Sequence, residues 1–220
     1  MKTENLMKAA VLSLVVITAA CGGKKSENSG ETKEVAQPEV ATVQNLKGAI
    51  NGESTASAKY AAFSQKAKEE GFMSVSKLFE ATSKSEATHA RNHMKVLEDM
   101  GITYTAQLDS FAVNSTLENL NAALKGETYE VQTMYPDFMK QAEVDKNSAA
   151  SQSFGFAFDT EKKHMILYQA AIDAVTAKKE SSLAAEYYVC PKCGFTYSKN
   201  DVKANCELCG TAKDQFYAIK

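Results

Sequence analysis

Four segments of this chain, roughly 45–70, 74–100, 115–144 and 147–178, repeat apolar residues at the three-and-four spacing of an α-helix, and each sets a glutamate in the middle of its apolar stripe. The first stripe reads Leu46, Ile50, Glu53, Ser57, Tyr60, Phe63, Ala67, and the second Phe79, Thr82, Glu86, His89, His93, Val96, Met100. The third is Leu117, Leu120, Leu124, Glu127, Val131, Met134, Phe138, with Glu130 one turn from Glu127. The fourth runs Phe154, Phe158, Glu161, His164, Tyr168, Ile172, Val175. Gly71 and Gly101 supply helix stops, Ser115-x-x-Glu118 a capping box and Asn147 a helix start. Four long helices with mostly short connections imply an all-α bundle over 44–180, in which the stretch from Gly101 to Asn114 can cross between non-adjacent ends.

An unpaired carboxylate in a dry core costs several kcal/mol, so four of them would more than exhaust a domain stability of about 5–15 kcal/mol. Metal ions compensate, because carboxylate oxygens and imidazole nitrogens at facing positions replace the water around two adjacent cations. The chain supplies Glu53, Glu86-x-x-His89, Glu127-x-x-Glu130 and Glu161-x-x-His164, and a spacing of three puts both members of each pair on one helical face. Two Glu-x-x-His pairs with glutamates from the other two helices make the donor inventory of a di-iron carboxylate bundle. His93 continues the second stripe beyond that inventory and reads as core packing or as support to the ligands.

The segments also form an internal repeat. Gly52-Glu53-Ser54 with Tyr60 and Phe63 parallels Gly126-Glu127-Thr128 with Tyr135 and Phe138, and the Glu-x-x-His glutamates follow 33 and 34 residues after Glu53 and Glu127. The second copy holds one extra residue between glutamate and tyrosine, which a continuous helix absorbs as a π-bulge around Glu130, aiming one more carboxylate at the metals. Pro136 just beyond removes a backbone donor and predicts a kink there.

Past the helices, over 185–220, Cys190-Pro191-Lys192-Cys193-Gly194 and Cys206-Glu207-Leu208-Cys209-Gly210 are two metal knuckles with twelve residues between the pairs. They predict four thiolates converging on one ion, iron or zinc, in preference to disulfides. Iron suits a one-electron site beside a two-metal centre; zinc has no redox chemistry.

The opening residues form a separate unit. Lys2 and Lys8 precede twelve small or apolar residues, Ala9 to Ala20, too few to span a bilayer as a helix, which is the pattern of a signal peptide over 1–20. Ile17-Thr18-Ala19-Ala20-Cys21 resembles the lipobox of bacterial lipoproteins, implying a lipidated Cys21, export and a membrane anchor. Ordinary cleavage with a free Cys21 is the alternative. Residues 21–43 read as a flexible tether. A formal charge of −2 gives no sign of nucleic-acid binding.

From about Asn45 to the C-terminus the chain resembles rubrerythrin: Gly-Glu-Ser, the two Glu-x-x-His pairs, Gly-Glu-x-Tyr-Glu with Met134-Tyr135-Pro136, and the rubredoxin-like knuckles stand in that family's order. The resemblance implies a ferritin-like bundle followed by a rubredoxin-like module, and a non-haem peroxidase reducing hydrogen peroxide. Electrons would pass through an iron at Cys190, Cys193, Cys206 and Cys209. It further implies that Glu53, Glu86, Glu127 and Glu161 ligate two irons, Glu86 and Glu161 bridging, and that His164 ligates one iron while the other exchanges Glu130 for His89 on reduction. Tyr60 and Tyr135 match family tyrosines beside the centre, though each also reads as core packing. A head-to-tail homodimer is implied, with one subunit's knuckle serving its neighbour's bundle. The second knuckle lacks a proline often found there, and the leader leaves the electron donor open. The rival function is ferritin-like oxidation or storage of iron.

Overall fold

The computed structural model describes residues 40–220. The signal peptide, Cys21 and most of the tether therefore lie outside the described residues. Helix α1 (Ala41–Glu69) begins inside the segment expected to be tether, because its first turn is held from a distance: the Thr42 N–H and hydroxyl both donate to the Asp145 carboxylate, at 3.0 and 2.6 Å, and Thr42 and Val43 are buried. Those bonds satisfy orphan donors at the helix start and hold the Asp145 carboxyl below the usual range.

Helix α2 (Met73–Asp99) follows a tight turn in which Gly71 adopts φ +86° and the Phe72 N–H reaches the Ala67 carbonyl at 2.8 Å. The next stretch climbs along α1. The Gln107 N–H bonds Asn51, the Asp109 N–H bonds Thr55 and the Thr116 N–H bonds Glu70, so the chain returns to the top of the bundle before α3 (Thr116–Tyr129) begins. Helices α2 and α3 consequently run in the same direction, the arrangement that one long crossover gives a four-helix bundle. The capping box expected at Ser115 and Glu118 is present.

A π turn, Glu130–Met134, joins α3 to α4 (Tyr135–Val144), so these three segments form one rod. It sits where the extra residue of the second repeat predicts it, and Pro136, which lacks an N–H, falls at the start of α4. Helix α5 (Ser148–Thr176) starts on the Asn147 side chain, which accepts from the Ala150 N–H at 2.9 Å. Two stripe residues at segment ends, Met100 and Leu117, are exposed, because the outermost turn overhangs its neighbours.

The core is split. One apolar cluster gathers Tyr60, Phe63, Phe79, Leu120 and Tyr168, another Leu46, Ile50, Leu97, Tyr135 and Phe154. Between them the stripes place only charged and polar groups: Glu53, Glu86, His89, Glu127, Glu161 and His164 are all buried.

The C-terminal module is a three-stranded antiparallel sheet in the order β2-β1-β3, built from β1 (Tyr187–Val189), β2 (Thr196–Ser198) and β3 (Tyr217–Ile219). Tyr187, Val189 and Ile219 join the upper cluster of the bundle, while Phe195, Tyr197 and Phe216 pack round the cysteines. No helix among the described residues is long and apolar enough to cross a membrane.

Candidate metal centre

Glu86 and His89 project from one face of α2, Glu161 and His164 from one face of α5, Glu53 from α1 and Glu127 from the last turn of α3. They meet in two groups, Glu53, Glu86, His89 and Glu161 in one and Glu86, Glu127, Glu161 and His164 in the other, each with one donor atom per residue within 4.8 Å of the rest. Glu86 and Glu161 belong to both. His89 Nδ1 stands 2.9 Å from Glu161 Oε1 and 3.0 Å from Glu86 Oε2; His164 Nδ1 stands 2.6 Å from Glu161 Oε2 and 3.2 Å from Glu86 Oε1.

Close as they are, these atoms make no hydrogen bonds. Glu53 Oε2, both oxygens of Glu86 and of Glu161, and Nδ1 of His89 and of His164 are buried and unpartnered. Buried polar atoms are almost always satisfied, and a cluster that is not calls for an ion. Two donors each about 2.0–2.2 Å from one ion stand roughly 3 Å apart, which is the spacing seen. Four carboxylates and two imidazoles around two shared points fit two divalent cations.

Electrostatics give the same answer. Burial pushes the Glu53 carboxyl up to about 7 and the Glu127 carboxyl well above its usual range. Burial would also raise Glu161, but the His164 and His89 rings beside it hold it down at about 2. Burial would lower His89 and His164, yet the facing carboxylates outweigh it and raise both. Without cations the layer stores protons; cations must displace them, so metal affinity falls in acid.

The two halves of the repeat are cross-linked by their tyrosines. Tyr60 donates to Glu127 Oε1 at 2.7 Å, and Tyr135 donates to Glu53 Oε1. Each tyrosine thus fixes a carboxylate of the other half, and burial foremost, then the nearby carboxylates, keeps both phenols protonated as donors. Glu130, at the start of the π turn, joins neither donor group; it is only partly covered, yet the protein around it and then Glu53 and Glu127 raise its carboxyl well above the usual range. His93 also lies outside both groups and bonds Ser153 and Tyr135.

The four cysteines form a third group, with Cys190 and Cys209 sulfurs 3.4 Å apart and Cys193 and Cys206 sulfurs 3.5 Å apart. All four are free thiols, and tetrahedral bonds of about 2.3 Å would set sulfurs near 3.8 Å. Each knuckle closes on a glycine in left-handed backbone, Gly194 at φ +84° and Gly210 at φ +76°, whose N–H bonds back to the first cysteine carbonyl.

The first knuckle lies on the bundle of its own chain. Its four successive carbonyls, those of Pro191, Lys192, Cys193 and Gly194, accept from four side chains of α2: Arg91 at 2.6 Å, Asn92 at 2.9 Å, His89 Nε2 at 3.2 Å and Ser85 at 2.7 Å. His164 Nε2 meets the Thr196 hydroxyl at 3.0 Å. Both liganding rings therefore turn one nitrogen to the metal layer and the other to the cysteine module. These contacts join the knuckle to the bundle of the same chain, whereas the resemblance implies that a knuckle serves the bundle of a neighbour. Ser85, Arg91, Asn92 and Thr196 carried no signal in the sequence.

A four-helix bundle with one crossover, a carboxylate and histidine layer at its centre and a four-cysteine module on its flank define a ferritin-like di-metal protein with an attached rubredoxin-like site. The Rubrerythrin family model matches residues 44–172, and the chain belongs to the rubrerythrin family. It is 33% identical to Rubrerythrin-2 of Clostridium acetobutylicum over 81% of this chain and 96% of that one. To Nigerythrin of Nitratidesulfovibrio vulgaris it is 34% identical over 80% and 86%. The structure of fully reduced, all-ferrous nigerythrin superposes with a TM-score of 0.74 at 32% identity, covering 85% of this chain and 91% of that one. Bacterioferritin BfrA of Mycobacterium tuberculosis, at 16% identity and a TM-score of 0.60, shares the fold alone. As a rubrerythrin the chain carries two irons in the bundle and one metal ion in the four-cysteine site.

Proposed function

We propose that this chain is a non-haem di-iron peroxidase that reduces hydrogen peroxide to water, fed with electrons through an iron held by Cys190, Cys193, Cys206 and Cys209. The observation that carries the reading is the hydrogen bond from His89 Nε2 to the Cys193 carbonyl, since it joins a ligand of the two-metal layer to a ligand of the four-sulfur site. A redox-inert zinc there would leave that junction without a use. Two ferrous ions supply the two electrons that cleavage of one O–O bond requires.

In this reading Glu53, Glu86, His89, Glu127, Glu161 and His164 hold the irons, with Glu86 and Glu161 shared between them. Tyr60 and Tyr135 keep Glu127 and Glu53 in place, and the two flanking apolar clusters exclude bulk water. Glu130, on its π turn, would offer a carboxylate in place of His89 to oxidised iron, because carboxylate suits the harder ferric ion. Glu130→Ala is therefore expected to keep two bundle irons yet slow turnover roughly 10- to 100-fold, read by iron analysis beside peroxide consumption. Loss of both irons in that variant would remove the switching role.

The junction also has a steric test. A Cβ on Gly194 would stand 2.3 Å from His89 Nε2 and 2.9 Å from the Ser85 hydroxyl, in a backbone conformation that side chains resist. Gly194→Ala is expected to leave the metal content intact and slow reduction of the bundle irons at least about 10-fold, measured by stopped-flow absorption of the oxidised centre. Unchanged rates would break the proposed route.

The reading extends to the leader. We propose an exported chain, lipidated at Cys21 and anchored on the outer side of a membrane, acting as a homodimer with a donor yet to be identified. Cys21→Ser is expected to move the protein from the membrane fraction to the soluble one on cell fractionation. The overall test is metal analysis with an optical spectrum before and after oxidation: three irons per chain and faster oxidation by peroxide than by dioxygen support the peroxidase. Many irons per chain and an equal or faster dioxygen reaction identify iron storage instead.

A further inference from the structure

We propose that Ser153, His93 and Tyr135 form a proton path from the protein surface to Glu53, delivering the protons that peroxide reduction consumes. The inference rests on the peroxidase reading above. The path is continuous: Ser153 Oγ is 2.7 Å from His93 Nδ1, His93 Nε2 is 3.3 Å from the Tyr135 hydroxyl, and that hydroxyl bonds Glu53 Oε1. At its outer end, Ser153 lines a surface depression of about 250 Å³ together with Asn92, Lys95, Asp99 and Gln152. At its inner end is a carboxylate of the metal layer.

The directions of these bonds follow from counting hydrogens. A carboxylate only accepts, so the single Tyr135 hydrogen points at Glu53. The Tyr135 oxygen must then accept from His93, which places the ring hydrogen on Nε2 and leaves Nδ1 bare. Nδ1 in turn accepts from Ser153. Every donor points inward, as a conducting chain requires. Ser153 is unlike Thr82 and Thr160, whose hydroxyls bond carbonyls of their own helices; its hydroxyl bonds across to α2. His93 is fully buried against Phe154 and Tyr135, a place that a leucine or phenylalanine would fill without the cost of desolvating a polar ring. Burial foremost holds its pKa at about 3, so it stays a neutral ring able to accept at one nitrogen and release at the other.

The reaction balances as H2O2 + 2 e⁻ + 2 H⁺ → 2 H2O, with one electron from each of two ferrous ions. For each proton, Ser153 takes a hydrogen from water in the depression and passes its own to His93 Nδ1. His93 then releases its Nε2 hydrogen to Tyr135, and the Tyr135 hydrogen moves to Glu53 and on to the departing oxygen. Before the next proton the ring exchanges with solvent, losing its Nδ1 hydrogen to water by way of Ser153 and regaining one from water at Nε2, which restores the starting tautomer with no net change in protons.

The test uses the iron-loaded full chain, chemically reduced and mixed with hydrogen peroxide in H2O and in D2O. His93→Phe and Ser153→Ala are expected to keep the wild-type iron content and to slow peroxide oxidation about 10-fold or more, with an enlarged solvent isotope effect. Added imidazole should restore much of the rate to His93→Ala and none to His93→Phe, a response that mere loss of packing would not give. In the ¹⁵N spectrum of the zinc-loaded full chain, the His93 ring should carry its hydrogen on Nε2. Wild-type rates and isotope effects in both variants, or a hydrogen on Nδ1, would overturn the path alone. Where His93 variants lose iron, Ser153→Ala, which removes only one oxygen, decides. A wild-type protein that reacts no faster with peroxide than with dioxygen overturns the peroxidase reading and the path with it.

Discussion

Glu161→Ala is expected to empty the bundle of both irons while leaving the four-cysteine metal in place. Glu161 belongs to both donor groups, and its two oxygens are the nearest carboxylate atoms to His89 Nδ1 and His164 Nδ1, at 2.9 and 2.6 Å. Removing it costs each ion a ligand and leaves Glu53, Glu86 and Glu127 buried around charges no longer balanced. Breaking such an arrangement typically costs about 3–5 kcal/mol, a large share of a domain's stability. Iron analysis should fall from three per chain to one, and thermal unfolding should move down beside it. The cysteine site survives because its four sulfurs all lie in the module. A variant that kept both bundle irons would show that the metals sit elsewhere than the shared layer.

The layer was legible in the sequence because helical periodicity and charge contradict each other there: a glutamate in the middle of an apolar stripe has no bland explanation when four helices repeat it. The π turn was legible for a related reason, since two repeats of unequal length must differ by a local bulge if their tyrosines are to face the same way. Tyr60 and Tyr135 confirm that facing by each bonding the other repeat's glutamate. Other features carried no such contradiction. The start of α1 depends on Asp145, more than a hundred residues away, and nothing local to Thr42 announces it. Ser85, Arg91 and Asn92 look like ordinary helix surface until the knuckle carbonyls arrive to take their hydrogens. Ser153 looks like a small helical residue, and His93 like packing, because a bonded path is visible only when α2, α4 and α5 are assembled. Periodicity reports which face a residue occupies; it does not report which neighbour it will meet.

Cys190→Ser separates the two metal sites in time as the previous substitution separates them in space. Its sulfur stands 3.4 Å from that of Cys209 in the four-cysteine group, and a serine oxygen is a harder, less readily deprotonated donor that suits a four-thiolate iron poorly. The bundle, whose donors come from α1, α2, α3 and α5, should still hold two irons and, once reduced by a small chemical reductant, should still be oxidised by one equivalent of peroxide at the wild-type rate. Steady-state turnover through a protein electron donor should then fall by roughly 100-fold or more, because the oxidised irons have lost their route to new electrons. The contrast between an intact single turnover and a failed cycle is the signature of an electron relay, and Gly194→Ala should show a milder form of it by crowding the junction at His89 without removing a ligand. If the serine variant cycles as fast as the wild type, electrons reach the bundle by another way, and the four-cysteine module is a structural clamp held to α2 by its carbonyls.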